Sequence, residues 1–117
     1  MLKSLPADAY SLRLHREDPM KGMLLELHVH DDTEEGVAFL DHFRGTCFQH
    51  LGGAPMGKPI PAGADSVHWF LQGQSSSWLM FEFWTQDVAA VQRAVARVEN
   101  ALREDGLTVR LENLLPN

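Results

Sequence analysis

Cysteine is nearly absent from this chain. Cys47 is the only one, so no intramolecular disulfide can form and no cysteine cluster can hold a metal, which fits a reducing compartment. Positive charge is also scarce. Ten Lys and Arg stand against sixteen Asp and Glu, and the resulting formal net charge of −6 repels phosphate backbones and anionic lipid, excluding nucleic acid and membrane as expected partners. Long apolar runs are missing too. Charges and Pro6 interrupt the N-terminal stretch before it reaches signal-peptide length. No uncharged stretch approaches the roughly 18 residues of a transmembrane helix. A cytoplasmic location is the expectation.

Motifs that announce a reaction are wanting as well. Gly52-Gly53-Ala54-Pro55-Met56-Gly57-Lys58-Pro59 nearly spells a phosphate-cradling loop, but Pro59 stands where a magnesium-binding hydroxyl is needed, and Pro59 and Pro61 oppose a following helix. Gly73-Gln74-Ser75-Ser76-Ser77 begins like a nucleophile elbow, yet it lacks the second glycine and lies between two strand patterns, where Gly and Ser are ordinary turn residues. Cys47 has His50 one helical turn away, but it falls in an apolar stripe, where a free cysteine acts as a small buried hydrophobe.

What is present is an ordinary globular composition. Of 117 residues, 44% are hydrophobic and 22% charged, which suits one folded domain and not a disordered tail. From Asp87 to Asp105, Val88, Val91, Val95, Val98 and Leu102 recur at helical spacing, and Gly106 is placed to end the helix. A second helix is predicted from Thr33 to Leu51, with Asp32 as cap and Glu35 reaching back to it. Its apolar stripe is read as Val37, Leu40, Cys47, Phe48 and Leu51, with Phe43 at the margin and Arg44 snorkelling from the middle. Gly36 and Gly45 weaken it, so a bend near Gly45 is possible.

Strand patterns cover Tyr10 to Arg16, Met23 to His30, Val67 to Gln72, Trp78 to Trp84 and Thr108 to Glu112. The order is two strands and a helix over residues 10–51, a Gly/Pro-rich loop over 52–65, then two strands, a helix and a terminal strand over 66–114. Leu24-Leu25-Glu26-Leu27-His28 aligns without gaps on Met80-Phe81-Glu82-Phe83-Trp84, and Asp31 on Asp87. An internal duplication would explain that register. The expected fold is α+β: a two-layer sandwich of antiparallel sheet with two helices on one face, resembling ferredoxin-like domains or a ββα-ββα-β repeat.

Dividing each strand into its two faces isolates the most informative feature. With Leu25, Leu27, Val29, Val67, Trp69, Leu71, Leu79, Phe81 and Phe83 turned toward the helices, the other face collects Leu24, Glu26, His28, His30, His68, Phe70, Gln72, Trp78, Met80, Glu82 and Trp84. A solvated face would be plainer and more polar. Such a patch implies coverage by a second copy, by another protein, by a ligand, or by the chain's own N-terminal segment or Gly/Pro loop.

Three functions fit. The first is a binding domain without catalytic activity, of immunity-protein, antitoxin-partner or chaperone type, using Leu24, Glu26, His28, His68, Phe70, Trp78, Met80, Glu82 and Trp84 as its binding face. The second is a small enzyme of the dimeric α+β-barrel kind, with Glu82, His28 and His68 in acid–base or metal chemistry. The third is a ligand-sensing regulatory domain. The first is expected, with no cofactor and no metal.

Overall fold

The computed structural model describes residues 2–116. Its elements are β1 (Tyr10–His15), β2 (Met23–Val29), α1 (Glu34–His50), β3 (Ala54–Pro55), β4 (His68–Gln74), β5 (Trp78–Trp84), α2 (Val88–Glu104) and β6 (Leu111–Asn113). The architecture is α+β: a six-stranded sheet in the order β3-β4-β5-β2-β1-β6, carrying two helices. Among the described residues no helix is long and apolar enough to cross a membrane.

α2 forms where its periodicity places it. Asp87 caps it by accepting from the Ala90 N–H at 3.1 Å, and Ala90, Val91, Ala94, Val95, Val98 and Leu102 are buried. It ends in a Schellman motif: Gly106 takes φ +82, its N–H bonds Arg103 O at 2.9 Å, and the Leu107 N–H bonds Leu102 O at 2.9 Å.

α1 departs from expectation in two ways. Its cap is Thr33, whose hydroxyl accepts from the Gly36 N–H at 3.0 Å, so Asp32 lies outside the helix and Glu35 is out of register for a capping box. Its buried side is Gly36, Phe39, Leu40, Phe43 and Cys47, which leaves Val37 and Phe48 at 43% and 50% exposure. The reason is geometric. Phe39 closes on Tyr10 of β1 at a ring separation of 5.6 Å, which turns the helix away from the Val37 side, while Phe48, though half exposed, still packs edge to face on Trp69 and Phe81 at 5.5 Å each. Helical structure runs unbroken through Gly45.

The inward residues of every long strand join both helices in one cluster, including Leu12, Leu14, Leu25, Leu27, Phe81, Phe83, Val91, Val95 and Val98. Burying side chains of this size is worth roughly 1.5–3 kcal/mol each, so the shared core is what holds both helices on one side of the sheet.

The sheet is not antiparallel throughout. β3 pairs with β4 in parallel and β6 with β1 in parallel, while the four central strands are antiparallel. Each helix is a crossover that returns the chain in the direction of the strand before it, and the returning strand docks on the other half's outer edge. β3 was not expected. It lies inside the Gly/Pro loop and survives because an edge strand tolerates Pro55. Gly53 permits it: at φ +52 its backbone comes so close to Val67 that a Cβ would lie 2.1 Å from Val67 O, while Ala54 N donates to that same oxygen at 3.0 Å. The terminal strand begins at Leu111 and not at Thr108, although Val109 and Leu111 both pack on the core.

The central register has a local two-fold. Leu25 pairs with Phe81, flanked by Leu24 with Glu82 and Glu26 with Met80. The gapless alignment equates Leu25 with Phe81, Leu24 with Met80 and Glu26 with Glu82, so rotation about the first pair exchanges the other two.

Candidate functional site

The helix-free side of the sheet follows from alternation and register. Across neighbouring strands, His68 lies beside Trp84, then Phe70 beside Glu82, Leu24 and His15, then Gly73 beside Met80, Glu26 and Arg13, and at the far end Trp78 beside His28 and Ser11. Every residue assigned to the binding face therefore lies on one side of the sheet. β1 adds three that were not assigned, Ser11, Arg13 and His15, although the inward alternation of Tyr10, Leu12 and Leu14 already implied them.

The apolar members are fitted to their neighbours. The Trp78 ring lies over Gly73, where a Cβ would meet the ring at 2.5 Å, and His28 flanks it with a ring separation of 5.9 Å. Gly73 sits at a bulge in the β4–β5 pairing. The bulge sets Gln72 free to donate its amide to Glu82 Oε1 at 3.1 Å. Trp84 meets Phe70 edge to face at 6.4 Å and donates its indole N–H to Glu82 Oε2. Exposure then varies sharply, from Leu24 at 5% to Trp84 at 59%, so Trp84 is the apolar side chain that the sheet leaves most open.

The polar groups do not converge on one centre. His68 pairs with Trp84 and His28 with Trp78, at opposite ends of β5, which strand geometry separates by about 20 Å. Glu82, His28 and His68 are thus spread along the face. His28 Nε2 is 3.1 Å from Glu26 Oε1, and His68 Nε2 donates to Lys58 O at 3.0 Å. His30 turns to Asp8 O at 2.9 Å. Among the described residues no three His, Cys, Asp or Glu side chains gather as metal ligands.

The other sequence features take structural places. Cys47 is fully buried, and burial pushes its thiol well above the ordinary value, the reverse of what a nucleophile needs. Ser75 and Ser76 sit in the β4–β5 turn and, with Val37 and Arg44, line a cleft of about 540 Å³ against α1. Arg44 pairs there with Asp41.

Neither candidate for an internal cover spans the face. The N-terminal segment packs on the helix side, where Leu2 and Leu5 meet the core and Ser4 Oγ accepts from Thr108 N at 2.9 Å. The Gly52–Asp65 loop is fastened along the β4 edge. Trp69 Nε1 donates to Gly52 O at 2.8 Å, Arg97 Nη2 to Leu51 O at 2.7 Å, and Arg93 grips Asp65 with Nε and Nη2 at 3.3 and 2.9 Å. Arg97 Nη1 adds a third contact to Asp65 at 3.3 Å, and Arg93, ahead of Arg97, holds the Asp65 carboxyl below its usual range. Single-sequence patterns gave no sign of this clamp, because its partners lie on different elements and none breaks a periodicity.

No protein-family model matches the chain, and no match emerges among curated proteins or solved structures.

Proposed function

We propose that this chain is a cytoplasmic protein-binding domain without catalytic activity, of immunity-protein, antitoxin-partner or chaperone type, and that the helix-free sheet face is its contact surface. One observation carries the reading: Phe70, Trp78, Met80 and Trp84 share a side of the sheet that neither the N-terminal segment nor the Gly/Pro loop spans. Aromatic and methionine side chains are enriched at interface centres, and the aromatics exchange much water for contact at small entropic cost. The scatter of His28, His68 and Glu82 along the face favours contact over acid–base chemistry at a single centre. A ferredoxin-like arrangement accords with the same picture for the four central strands and two helices, whose order ββαββα, leaving aside the edge strands β3 and β6, becomes βαββαβ when β1 is moved to the end.

Sedimentation velocity tests the proposal. Wild type is expected to run as a complex, with itself or with a protein that copurifies in fixed stoichiometry. Trp78→Glu and Trp84→Glu should run as folded monomers by circular dichroism. Trp84→Glu is the cleaner probe, because Trp78 also packs on Gly73. A wild-type protein that is monomeric and binds no partner stoichiometrically refutes the reading.

A further inference from the structure

We propose that the cleft between the β1–β2 connection and the end of β5 receives one cationic side chain, arginine or lysine, from a basic partner protein. The inference rests on the protein-binding reading and gives that partner a charge and a point of attachment. The cleft holds about 450 Å³ and is lined by Met20, Lys21, Gly22, Glu82, Trp84 and Thr85, among others.

Glu82 is the only acid in that lining, and its position is set from three sides. Gln72 donates to Oε1 at 3.1 Å and the Trp84 indole to Oε2. Gly22 backs the stem, where a Cβ would meet Glu82 Cγ at 2.9 Å and Phe83 O at 2.6 Å. An ionised carboxylate offers about four lone-pair sites, and two are used, so roughly two remain for an incoming donor. A carboxylate held in place before contact loses little freedom on binding, which is the advantage of a prepared site.

The walls suit a long amphipathic cation better than a small ion. Met20 is 90% exposed and Trp84 59%, large apolar surfaces lining the same cleft as that carboxylate. Methylene stems of Lys and Arg lie along such surfaces while their heads reach a polar partner, and an aromatic ring adds attraction for the head group. The long-range field has the same sign. A net charge of −6 draws a basic partner and opposes close approach of a second copy of this chain. Lys21 on the rim is the one opposing group, and among the described residues it forms no ion pair with Glu82.

The test is a titration of the isotope-labelled full chain with Nα-acetyl-arginine amide, Nα-acetyl-lysine amide and the uncharged Nα-acetyl-citrulline amide. The Trp84 indole and Gln72 side-chain amide resonances report. Both cationic probes should shift them saturably at millimolar concentrations and citrulline should not. Glu82→Gln should weaken binding at least tenfold with an unchanged circular dichroism spectrum, and Lys21→Ala should tighten it severalfold. Equal shifts with citrulline, full binding by Glu82→Gln, or cationic shifts that bypass Trp84 would each overturn the proposal. With a copurified partner the two readings separate: association lost in Trp78→Glu but kept in Glu82→Gln removes the cation receptor and leaves the docking face standing.

Discussion

Replacing Val95 by Asp tests the core assignment on which the faces of the sheet depend. Val95 is 2% exposed on the inner side of α2, in the same cluster as Phe81 and Leu25. Removing a buried Val forfeits roughly 1.5–3 kcal/mol of burial. The carboxyl adds a larger cost. Buried without a partner it stays protonated, and with its pKa held some 3–5 units up that protonation costs about 4 kcal/mol at neutral pH, the distance from the unfolded value of about 3.9 to pH 7. The two together are comparable to the whole stability of a domain, about 5–15 kcal/mol. Urea unfolding followed by circular dichroism at pH 7 should show V95D largely unfolded without denaturant. The sign of the pH dependence is set: a carboxyl whose folded pKa is raised carries no penalty below its unfolded value, and the penalty grows as pH rises from there toward the folded one. V95D should therefore recover part of its deficit near pH 4. Val37→Asp is the matched control. Val37 is 43% exposed, and substitutions at such sites usually stay within about 0.5 kcal/mol. A V95D protein with the wild-type urea midpoint at pH 7, or a V37D protein as damaged as V95D, would show that the helix faces are misassigned.

Cys47 should resist thiol reagents in the native state and react at the rate of opening, so labelling should accelerate with urea and not with pH alone. Burial raises the Glu99 carboxyl, with Arg103 pulling the other way, so Glu99→Gln should raise the thermal midpoint at pH 7 and leave it unchanged below the unfolded carboxyl range, about pH 4. Asp65 carries the opposite sign. Its lowered value, owed first to Arg93, means that its contribution is present above the unfolded carboxyl pKa and fades as pH falls through the folded one, and Asp65→Asn should flatten that part of the acid limb. Gly53→Ala should cost about 2 kcal/mol or more, because φ +52 is strained for a side chain and the new Cβ would overlap Val67 O; calorimetry would read the loss, and an unchanged midpoint would show that β3 is dispensable.

Local patterns determined a good deal of this protein. Period-two alternation placed Leu25, Leu27, Phe81 and Phe83 inward and Glu26, Met80 and Glu82 outward, because a one-residue slip would turn every side chain over. The valine stripe and Gly106 marked α2 from cap to Schellman end. α1 was harder to read, since Val37, Phe39, Leu40, Phe43, Cys47 and Phe48 put apolar groups on more than one side of the wheel, and Asp32 and Thr33 are both capable caps. Only packing chose between them, when Phe39 found Tyr10.

The hairpins β1–β2 and β4–β5 were legible from strands adjacent in the chain, but tertiary structure alone decided how those hairpins join and what docks on their edges, and with it the character of the face. Alternation says which side of a strand a residue takes but not which neighbour lies beside it, because pairing is settled by contacts between residues far apart in the chain. That is why His28 and His68, on the same face by alternation, end about 20 Å apart. It is also why β3 and β6 run parallel at the edges: each is placed by a helical crossover and by the edge it reaches. Trp84 shows the same division. Alternation put it on the open face, and only the packed structure shows what holds it there, the Gln72–Glu82–Trp84 network beside the bulge before Gly73 and the bare backbone of Gly22.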